Sequence, residues 1–292
     1  MPSPTTTTLP FERALSRSNQ YHTSFEEMFD RQTIPTPTLR SNIQSLDVFV
    51  DQSHNGAFGR KRKVLVVSSP PGSGNSTLLT SFVKQRRARN VPGEYVLTHW
   101  SESSEEAQQL SAVITRWIGL LGAALGNDLT EWSGAMRCDL ENMVSGKPSE
   151  QFLMAKFNRF VTLALETQMT NLNQTKKKKK GRFLGGLIGE NEVMDIKQLV
   201  IVVDGADRVL NHDGMCVLHW LQETLPEHCC VILSTTSHEK MFIKKNDLVH
   251  AARAFPRELA MLEDEEIINL IRRVRSFSQY EPMSVNGARN SP

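Results

Sequence analysis

The chain of 292 residues carries 34 Lys and Arg against 32 Asp and Glu, a formal net charge of +2. This balance excludes a broadly basic nucleic-acid-binding protein and a self-repelling acidic one, although local basic runs are still allowed. Hydrophobic residues make up 39% of the sequence, which is enough for a real core in one large or two ordinary domains. The four cysteines form no disulfide framework, and no apolar run approaches the roughly 18 to 20 residues of a membrane helix. We therefore expect a reduced, cytoplasmic protein without a membrane span.

Residues 1–39 have the composition of a flexible N-terminal tail. Threonines and prolines near both of its ends favour turns and extended chain. Between them, Ser24–Arg31 is predicted to form one short helix that has Phe25 and Phe29 on one side. This apolar side could dock on the chain's own main domain or on a partner, and the sequence does not decide between the two.

Over residues 40–277, short apolar runs alternate with amphipathic segments. The runs predict strands at Lys63–Ser68, Glu94–Trp100, Leu199–Val203, Cys230–Ser234 and Glu258–Leu262. The amphipathic segments predict helices around residues 43–50, 76–89, 103–122, 149–169, 215–225 and 264–277. Strands that alternate with helices at this spacing favour one α/β domain, in which a mostly parallel sheet has helices on both faces.

Two segments lack the pattern of buried structure. Lys176–Lys180 is a run of five lysines followed by a glycine-rich piece, so residues 171–192 are predicted to be a flexible, solvated insert. The same run could bind acidic lipid, RNA or an import receptor. Residues 278–292 are polar and are predicted to form a frayed C-terminal tail.

The sharpest signal is the turn-rich segment between the first strand and the helix that follows it. The pattern of a phosphate-binding loop is G-x-x-x-x-G-K-[ST] in a strand–loop–helix context, and that context is present here. Glycines let backbone N–H groups turn toward a phosphate, and the helix N-terminus adds partial positive charge. The Ser76 hydroxyl is the predicted Mg²⁺ ligand. The predicted nucleotide-binding residues are Pro71, Gly72, Ser73, Gly74, Asn75, Ser76 and Thr77.

Two positions depart from that pattern. Ser69 stands in place of the first glycine, and Asn75 stands in place of the lysine that contacts the β- and γ-phosphates. Asn75 offers a neutral hydrogen bond, worth about half of the roughly 1.5 to 3 kcal/mol of a charge-assisted one. Hydrolysis should suffer more than binding, because charge on the transferred phosphoryl group must be stabilised in the transition state. Lys84 cannot substitute, since it lies about 13 Å further along the helix.

A second motif is the apolar strand Leu199–Val203, which ends in Asp204 and is followed by Asp207. This pattern is typical of a Walker B site, where Asp204 would hold Mg²⁺ through water. Asp207, one turn later, could orient water or support the metal shell. A strand that ends in an acid is common by itself, but the phosphate loop upstream favours this interpretation. We therefore predict Asp204 at the Mg²⁺ site and Asp207 as the candidate catalytic residue.

In this order, the motifs resemble the STAND class of P-loop NTPases, on the NACHT side. The chain is most similar to the nucleotide-binding domains of nephrocystin-type and telomerase-associated-type scaffold proteins. The resemblance implies a three-layer α/β sandwich with a five-stranded sheet in the order 5-1-4-3-2. It also implies ATP, or GTP, with Mg²⁺ at the carboxyl ends of the strands. The residues that carry the resemblance are Val64–Leu79, Tyr95–Trp100, Val202–Asp207, Leu221–Thr236 and Glu258–Val274.

Proteins of this kind act as nucleotide-controlled switches in assemblies rather than as metabolic enzymes. Besides Asn75, two residues depart from the family pattern. Arg208 follows Asp207 where a further acid is common, and His238 stands near the position of a sensor arginine. Because the sequence ends soon after the core, we do not expect a complete switch cycle that uses further C-terminal domains.

The leading hypothesis is a nucleotide-binding regulatory or scaffold module that acts on unidentified protein partners and is at most a weak nucleoside triphosphatase. The alternative is a pseudo-NTPase scaffold that binds proteins but no nucleotide. An active NTPase with a loop that lacks lysine ranks lower. A nucleic-acid-binding module ranks lowest, because a solvated helix end explains its candidate residues better. Those residues are Lys84, Arg86, Arg87 and Arg89.

Overall fold

The computed structural model describes residues 10–54, 64–124, 150–162, 165, 196–214, 220–221, 225–226, 228–236, 255–258, 263 and 265–268. Two short 3-10 turns cover Glu106–Gln108 and Ala206–Arg208. In chain order, the helices and strands are α1 (Pro10–Gln32), α2 (Pro37–His54), β1 (Val64–Ser68), α3 (Asn75–Ala88), β2 (Glu94–Trp100), α4 (Leu110–Ala124), α5 (150–162), β3 (Gln198–Asp204), β4 (Cys229–Thr235) and β5 (Phe255–Glu258).

The strands form one parallel sheet in the order β2-β3-β4-β1-β5. β3 lies between β2 and β4, and its last residue, Asp204, is opposite Trp100. β1 lies beside β4, where Val64 is opposite Val231. The order of these four strands, 1-4-3-2, is the predicted one. The α/β fold with a parallel sheet is therefore confirmed, and it is consistent with a P-loop NTPase-like fold.

β5 is a four-residue strand that extends the sheet beyond β1. Leu65 of β1 is opposite Phe255, and Ser68 is opposite Glu258. The sequence prediction placed this strand at Glu258–Leu262, which is wrong, since the strand begins at Phe255 and ends at Glu258. The apolar residues after Glu258 drew that prediction. The actual strand contains Pro256, which is tolerated because an edge strand need not donate every backbone N–H to a neighbour.

The sheet separates two apolar layers. Residues of β1 alternate between them: Val66 packs with Trp117 of α4 on one face, and Leu65 packs with Phe82 of α3 on the other. Strands buried on both faces are expected in a parallel sheet that is covered by helices. This explains why the strands of the sequence read as continuous apolar runs.

The N-terminal region differs most from the prediction. The short helix expected over Ser24–Arg31 is one part of α1, which begins at Pro10 and has 23 residues. A flexible tail is therefore wrong for this segment, and the first turn of a helix accommodates proline because the missing N–H would have no partner there. Phe25 is buried and stacks on Trp100, with ring centroids 5.7 Å apart. The apolar side of α1 thus docks on the chain's own domain.

Several predictions lie outside the described residues, including the lysine-rich insert at 171–192 and the C-terminal tail at 278–292. The helices predicted at 215–225 and 264–277 are described in small part, and there residues 220–221 and 265–268 are helical. Within the described ranges, we find no helix with the length and apolar character that a membrane crossing requires.

Candidate functional site

The loop between β1 and α3 has the backbone conformation of a phosphate cradle. Gly72 and Gly74 have φ of 81° and 92°, in the left-handed region that favours glycine. A Cβ added at either position would meet no described atom within 4 Å. Both glycines are thus explained by backbone conformation rather than by crowding. Alternating left- and right-handed residues turn successive N–H groups toward one side, which is how such loops bind anions.

The N-terminus of α3 follows directly and lacks a side-chain cap. Gly74 occupies the N-cap position, and no acidic residue lies in the first turn. The Leu78 N–H donates to the Gly74 carbonyl at 2.8 Å, which closes that turn. The N–H groups of Asn75, Ser76 and Thr77 come before this bond, so they have no partner within the helix. Together with the helix dipole they favour an anion at this point.

Ser76 and Asp204 are 128 residues apart in the sequence and meet at the carboxyl end of β3, where the Ser76 hydroxyl donates to Asp204 Oδ2 at 2.6 Å. Ser234, near the end of β4, donates to the other carboxylate oxygen. The Ser234 oxygen in turn accepts the Gly205 N–H at 2.8 Å. Sequence reasoning paired Ser76 with Asp204 but missed Ser234. The sequence signal that could have indicated Ser234 is its position: it is a hydroxyl residue directly after the apolar run of β4, and β4 lies between β1 and β3.

Asp204 is an electrostatically unusual carboxylate. It is 4% exposed, and this burial raises its pKa above the usual range of aspartate, while the Ser234 and Ser76 hydroxyls partly offset the effect. Arg208 is near enough to influence that pKa, but it forms its ion pair with Glu102. The hydrogen bonds of Asp204 therefore come from neutral hydroxyls. The charged form of a buried carboxylate in such surroundings is stabilised by a cation beside it.

Asp207 lies in the short turn after β3, next to the end of β4. Thr236 donates its hydroxyl to Asp207 Oδ2 at 2.7 Å, and Oδ1 is buried without a hydrogen-bond partner in the described part of the chain. The buried Ser101 hydroxyl, just after β2, also has no described partner. Buried polar atoms nearly always have a hydrogen-bond partner. These two atoms can therefore bond to a water or a ligand at the carboxyl edge of the sheet.

Gly205 allows the tight turn that brings Asp204 and Asp207 together. Its φ is +66°, and an added Cβ would stand 2.2 Å from Ser101 Oγ. A larger residue would therefore strain the backbone and displace Ser101. The close approach fixes the end of β3 against the end of β2.

The two residues that depart from the phosphate-loop pattern contact each other. The Ser69 hydroxyl donates to Asn75 Oδ1 at 2.7 Å. Ser69 is buried, and its N–H donates to the Thr235 carbonyl of β4 at 3.3 Å. Asn75 therefore accepts a bond from an anchored residue at the opposite end of the loop.

The basic residues at the end of α3 all pair with acids of the chain, yet three of the four side chains are exposed: Lys84 by 66%, Arg87 by 45% and Arg89 by 38%. The interpretation as a solvated helix end therefore fits these three residues and is wrong for Arg86. Arg86, the most buried of the four, pairs with Glu94 at 2.6 Å. The others pair with acids of α1 and α2: Lys84 with Asp30, Arg87 with Glu26, and Arg89 with Asp47. The remaining departure from the family pattern, His238, lies outside the described residues.

Ser76 and Asp204 fit a Mg²⁺ site. Both present oxygen, and their 2.6 Å separation is close to the roughly 2.9 Å between adjacent ligands of an octahedral Mg²⁺. This ion usually keeps several waters and takes one or two protein ligands together with substrate phosphates. In the described ranges there is no group of three or more His, Cys, Asp or Glu that could hold a metal by itself.

No protein-family model and no curated protein matches the chain. Among solved structures, the chain is similar to the Aeropyrum pernix ORC1 protein in complex with DNA, with 10% identity, a TM-score of 0.46, and coverage of 84% of this chain and 50% of that one. It is also similar to Drosophila ORC bound to DNA, with 14% identity, a TM-score of 0.37, and coverage of 88% and 49%. The chain thus spans about half the length of these structures, and at such identities its function has to be inferred from the geometry of its own site.

Proposed function

We propose that the chain is a nucleotide-binding regulatory or scaffold module of the STAND NTPase type. It binds ATP, or GTP, together with Mg²⁺, and it hydrolyses the nucleotide weakly or not at all. One observation carries the proposal: the Ser76 hydroxyl, at the start of the helix after a glycine-bent loop, lies 2.6 Å from the buried carboxylate of Asp204. The order of the motifs along the chain and the strand order β2-β3-β4-β1 support the STAND type.

The loop and the start of α3 are the phosphate-binding part. Backbone N–H groups receive the phosphate oxygens, and the positive end of the helix dipole favours their charge. Ser76 and Asp204 hold Mg²⁺, which offsets phosphate charge when it is bound. The binding residues are Pro71, Gly72, Ser73, Gly74, Asn75, Ser76 and Thr77.

Hydrolysis is expected to be weak because the described part of the chain offers little positive charge to the transferred phosphoryl group. Asn75 is neutral, and Arg208 is paired with Glu102. Asp207 is the candidate catalytic residue, since its Oδ1 is available to orient a water while Thr236 holds Oδ2. Orientation of water without a cationic partner supplies only part of the usual rate enhancement.

The partners follow from the same features. Nucleotide occupies the loop, and unidentified proteins respond to the bound state. Nucleic-acid binding through the end of α3 is not expected, because the three cations of the helix and Arg89 after it are paired within the chain. A cytoplasmic location stays a prediction.

Titration calorimetry of the purified full chain with Mg·ATP and Mg·GTP tests the proposal. We expect micromolar binding that depends on Mg²⁺, and a loss of at least about tenfold in Ser76→Ala and Asp204→Asn, because the first variant removes a metal ligand and the second removes the negative charge that attracts the metal. Ser81→Ala, which truncates a serine further along the same helix, is the matched control and should bind like the wild type. Absence of Mg-dependent binding by the wild type would favour the alternative, a pseudo-NTPase scaffold that binds proteins only.

A further inference from the structure

The two departures from the phosphate-loop pattern occupy opposite ends of the loop and complement each other. Ser69 supplies a hydroxyl where the pattern has a glycine, and Asn75 supplies the amide oxygen that accepts it at 2.7 Å. A lysine at position 75 could not accept this bond, and a glycine at position 69 could not donate it. The hydrogen bond therefore requires both departures together.

The bond also determines which part of the Asn75 side chain remains for a ligand. A carboxamide has one oxygen that accepts and one NH₂ group that donates two hydrogen bonds. Since Ser69 uses the oxygen, the donor end of Asn75 remains for phosphate oxygens. Ser69 itself is 7% exposed and is tied to the Thr235 carbonyl of β4, so it holds Asn75 from a fixed position.

A neutral donor responds to phosphate charge differently from a lysine. The attraction of an ammonium group grows with the charge of the phosphate chain, whereas an amide N–H contributes about half as much and depends less on that charge. A loop that contacts phosphate through Asn75 should therefore gain little from the additional charge of a γ-phosphate.

We propose that Ser69 and Asn75 form a coupled, specificity-determining pair that holds the loop closed and presents a neutral amide to the phosphates. The site consequently takes nucleoside diphosphates and triphosphates with similar affinity. This inference rests on the proposed function, because it concerns the nucleotide bound at the same loop. Asn75 is the residue that touches phosphate, and Ser69 is its positioning residue.

Calorimetric titrations of the full chain with Mg·ADP and Mg·ATP test the pair. The wild type should bind the two nucleotides within about fivefold of each other, since the amide lacks charge. Asn75→Lys alone should improve Mg·ATP affinity by less than about threefold, because it leaves the Ser69 hydroxyl buried without its acceptor. Ser69→Gly combined with Asn75→Lys should improve Mg·ATP affinity by about tenfold or more, with a smaller gain for Mg·ADP.

A thermal-denaturation cycle provides a readout that does not need nucleotide. Ser69→Ala and Asn75→Ala should be non-additive, because either one removes the whole bond. Thr115→Ala is the control, since its hydroxyl donates to the Ser111 carbonyl within α4, away from the loop, and its effect should add to that of Asn75→Ala. If Ser69→Gly fails to fold, Ser69→Ala combined with Asn75→Lys replaces it in the titrations.

The outcomes separate the two proposals. In one outcome, the wild type binds both nucleotides and Asn75→Lys alone improves Mg·ATP affinity as much as the double variant does. That outcome would overturn the proposed coupling of Ser69 and Asn75 and leave the proposed function intact. A preference of more than about tenfold for Mg·ATP in the wild type would also overturn the pair. If neither the wild type nor any variant binds nucleotide, the proposed function fails and the pair fails with it.

Discussion

Acidic side chains have different partners at the two ends of the sheet. At the amino end of β2, Glu94 is buried and accepts two hydrogen bonds from Arg86, which also contacts the buried Asp47. At the carboxyl end of β3, Asp204 is buried to a similar extent, but its bonds come from the hydroxyls of Ser76 and Ser234. Within the described residues, the buried acid at the amino end thus has a cationic partner, and the buried acid at the carboxyl end has neutral ones. Burial alone therefore does not distinguish the two carboxylates, whereas the charge of their partners does.

The largest expected effect is the loss of Arg86, which is 3% exposed. Arg86→Ala leaves Glu94 buried without its cation and leaves Asp47 with Arg89 alone, so we expect the free energy of unfolding to fall by about 3 to 5 kcal/mol. Urea denaturation near neutral pH measures this change. The matched control is Arg87→Ala on the same helix, whose ion pair with Glu26 is 45% exposed on the arginine side. The free energy of unfolding of that variant should fall by less than about 1 kcal/mol. An equal fall in the two variants would contradict a structural role for the ion pairs of Arg86 at the amino end of β2.

Four of the five strands could be predicted from the sequence because each of them is an apolar run with turn residues at its ends, whereas β5 is not an apolar run. β2 was predicted with its observed bounds, and β1, β3 and β4 within one residue at each end. α1 was predicted only over Ser24–Arg31, and the rest of it was missed because much of its contact with the domain is polar. His22 and Glu26 face β2, and a hydrophobic pattern does not indicate which acid of one helix will meet which base of another. Such pairings depend on helix positions that only the folded chain defines.

The second prediction concerns how stability depends on pH, which is governed by two buried histidines beside β2. His22 Nδ1 accepts the Trp100 N–H at 3.2 Å, His99 Nε2 donates to the Ala107 carbonyl at 2.7 Å, and the two rings are 4.8 Å apart. Burial, and then the charge of Arg116, lowers the pKa of both imidazoles, that of His99 to about 3. Two further charged groups lie in this region: Glu26, which accepts bonds from the Trp100 indole and from Thr98, and Arg87, which pairs with Glu26.

The direction of the pH dependence follows from linkage. In the unfolded chain both histidines titrate near 6.5, so below that pH the unfolded state binds protons that the folded state excludes. Stability is therefore lost as pH falls below about 6.5, by about 1.4 kcal/mol for each histidine between about pH 7.5 and about pH 5.5. Denaturation at these two pH values measures the loss. His22→Asn keeps an acceptor for the Trp100 N–H but does not titrate, so it should remove about half of the loss. An unchanged loss would show that His22 is not neutral in the folded chain.

The candidate site could be predicted only in part. Ser76 and Asp204 were found because each follows a recognisable apolar strand, and parallel strands bring their carboxyl ends to one edge. Ser234 and Thr236 were missed as partners of the two acids, because a hydroxyl residue after a strand is common and carries no motif. The Ser69–Asn75 bond was missed because each departure was considered alone. Only the folded loop shows that the residues at the two departing positions contact each other.

The smallest expected effect is the most informative about the two ends of the sheet. Burial raises the pKa of Asp204, so its charged form is disfavoured in the folded state and the protein carries that penalty near neutral pH. Asp204→Asn removes the charge and keeps polar atoms for Ser76 and Ser234. We expect the free energy of unfolding, measured without nucleotide or Mg²⁺, to rise or to change by less than about 1 kcal/mol. In the same variant, the stabilisation by Mg·ATP in a thermal-shift assay should disappear.

Glu94→Gln is the matched control for this variant, because it too replaces a buried carboxylate by its amide. Glu94 accepts from both Nε and a terminal nitrogen of Arg86, so its neutralisation leaves a buried guanidinium undercompensated and should lower stability by about 3 kcal/mol. The response to Mg·ATP should persist in Glu94→Gln, since the side chain lies at the opposite end of β2 from Trp100, which pairs with Asp204. If Asp204→Asn instead destabilises the chain as much as Glu94→Gln does, Asp204 is a structural acid like Glu94. Its hydrogen bonds with Ser76 and Ser234 would then stabilise the fold and would not mark a metal site.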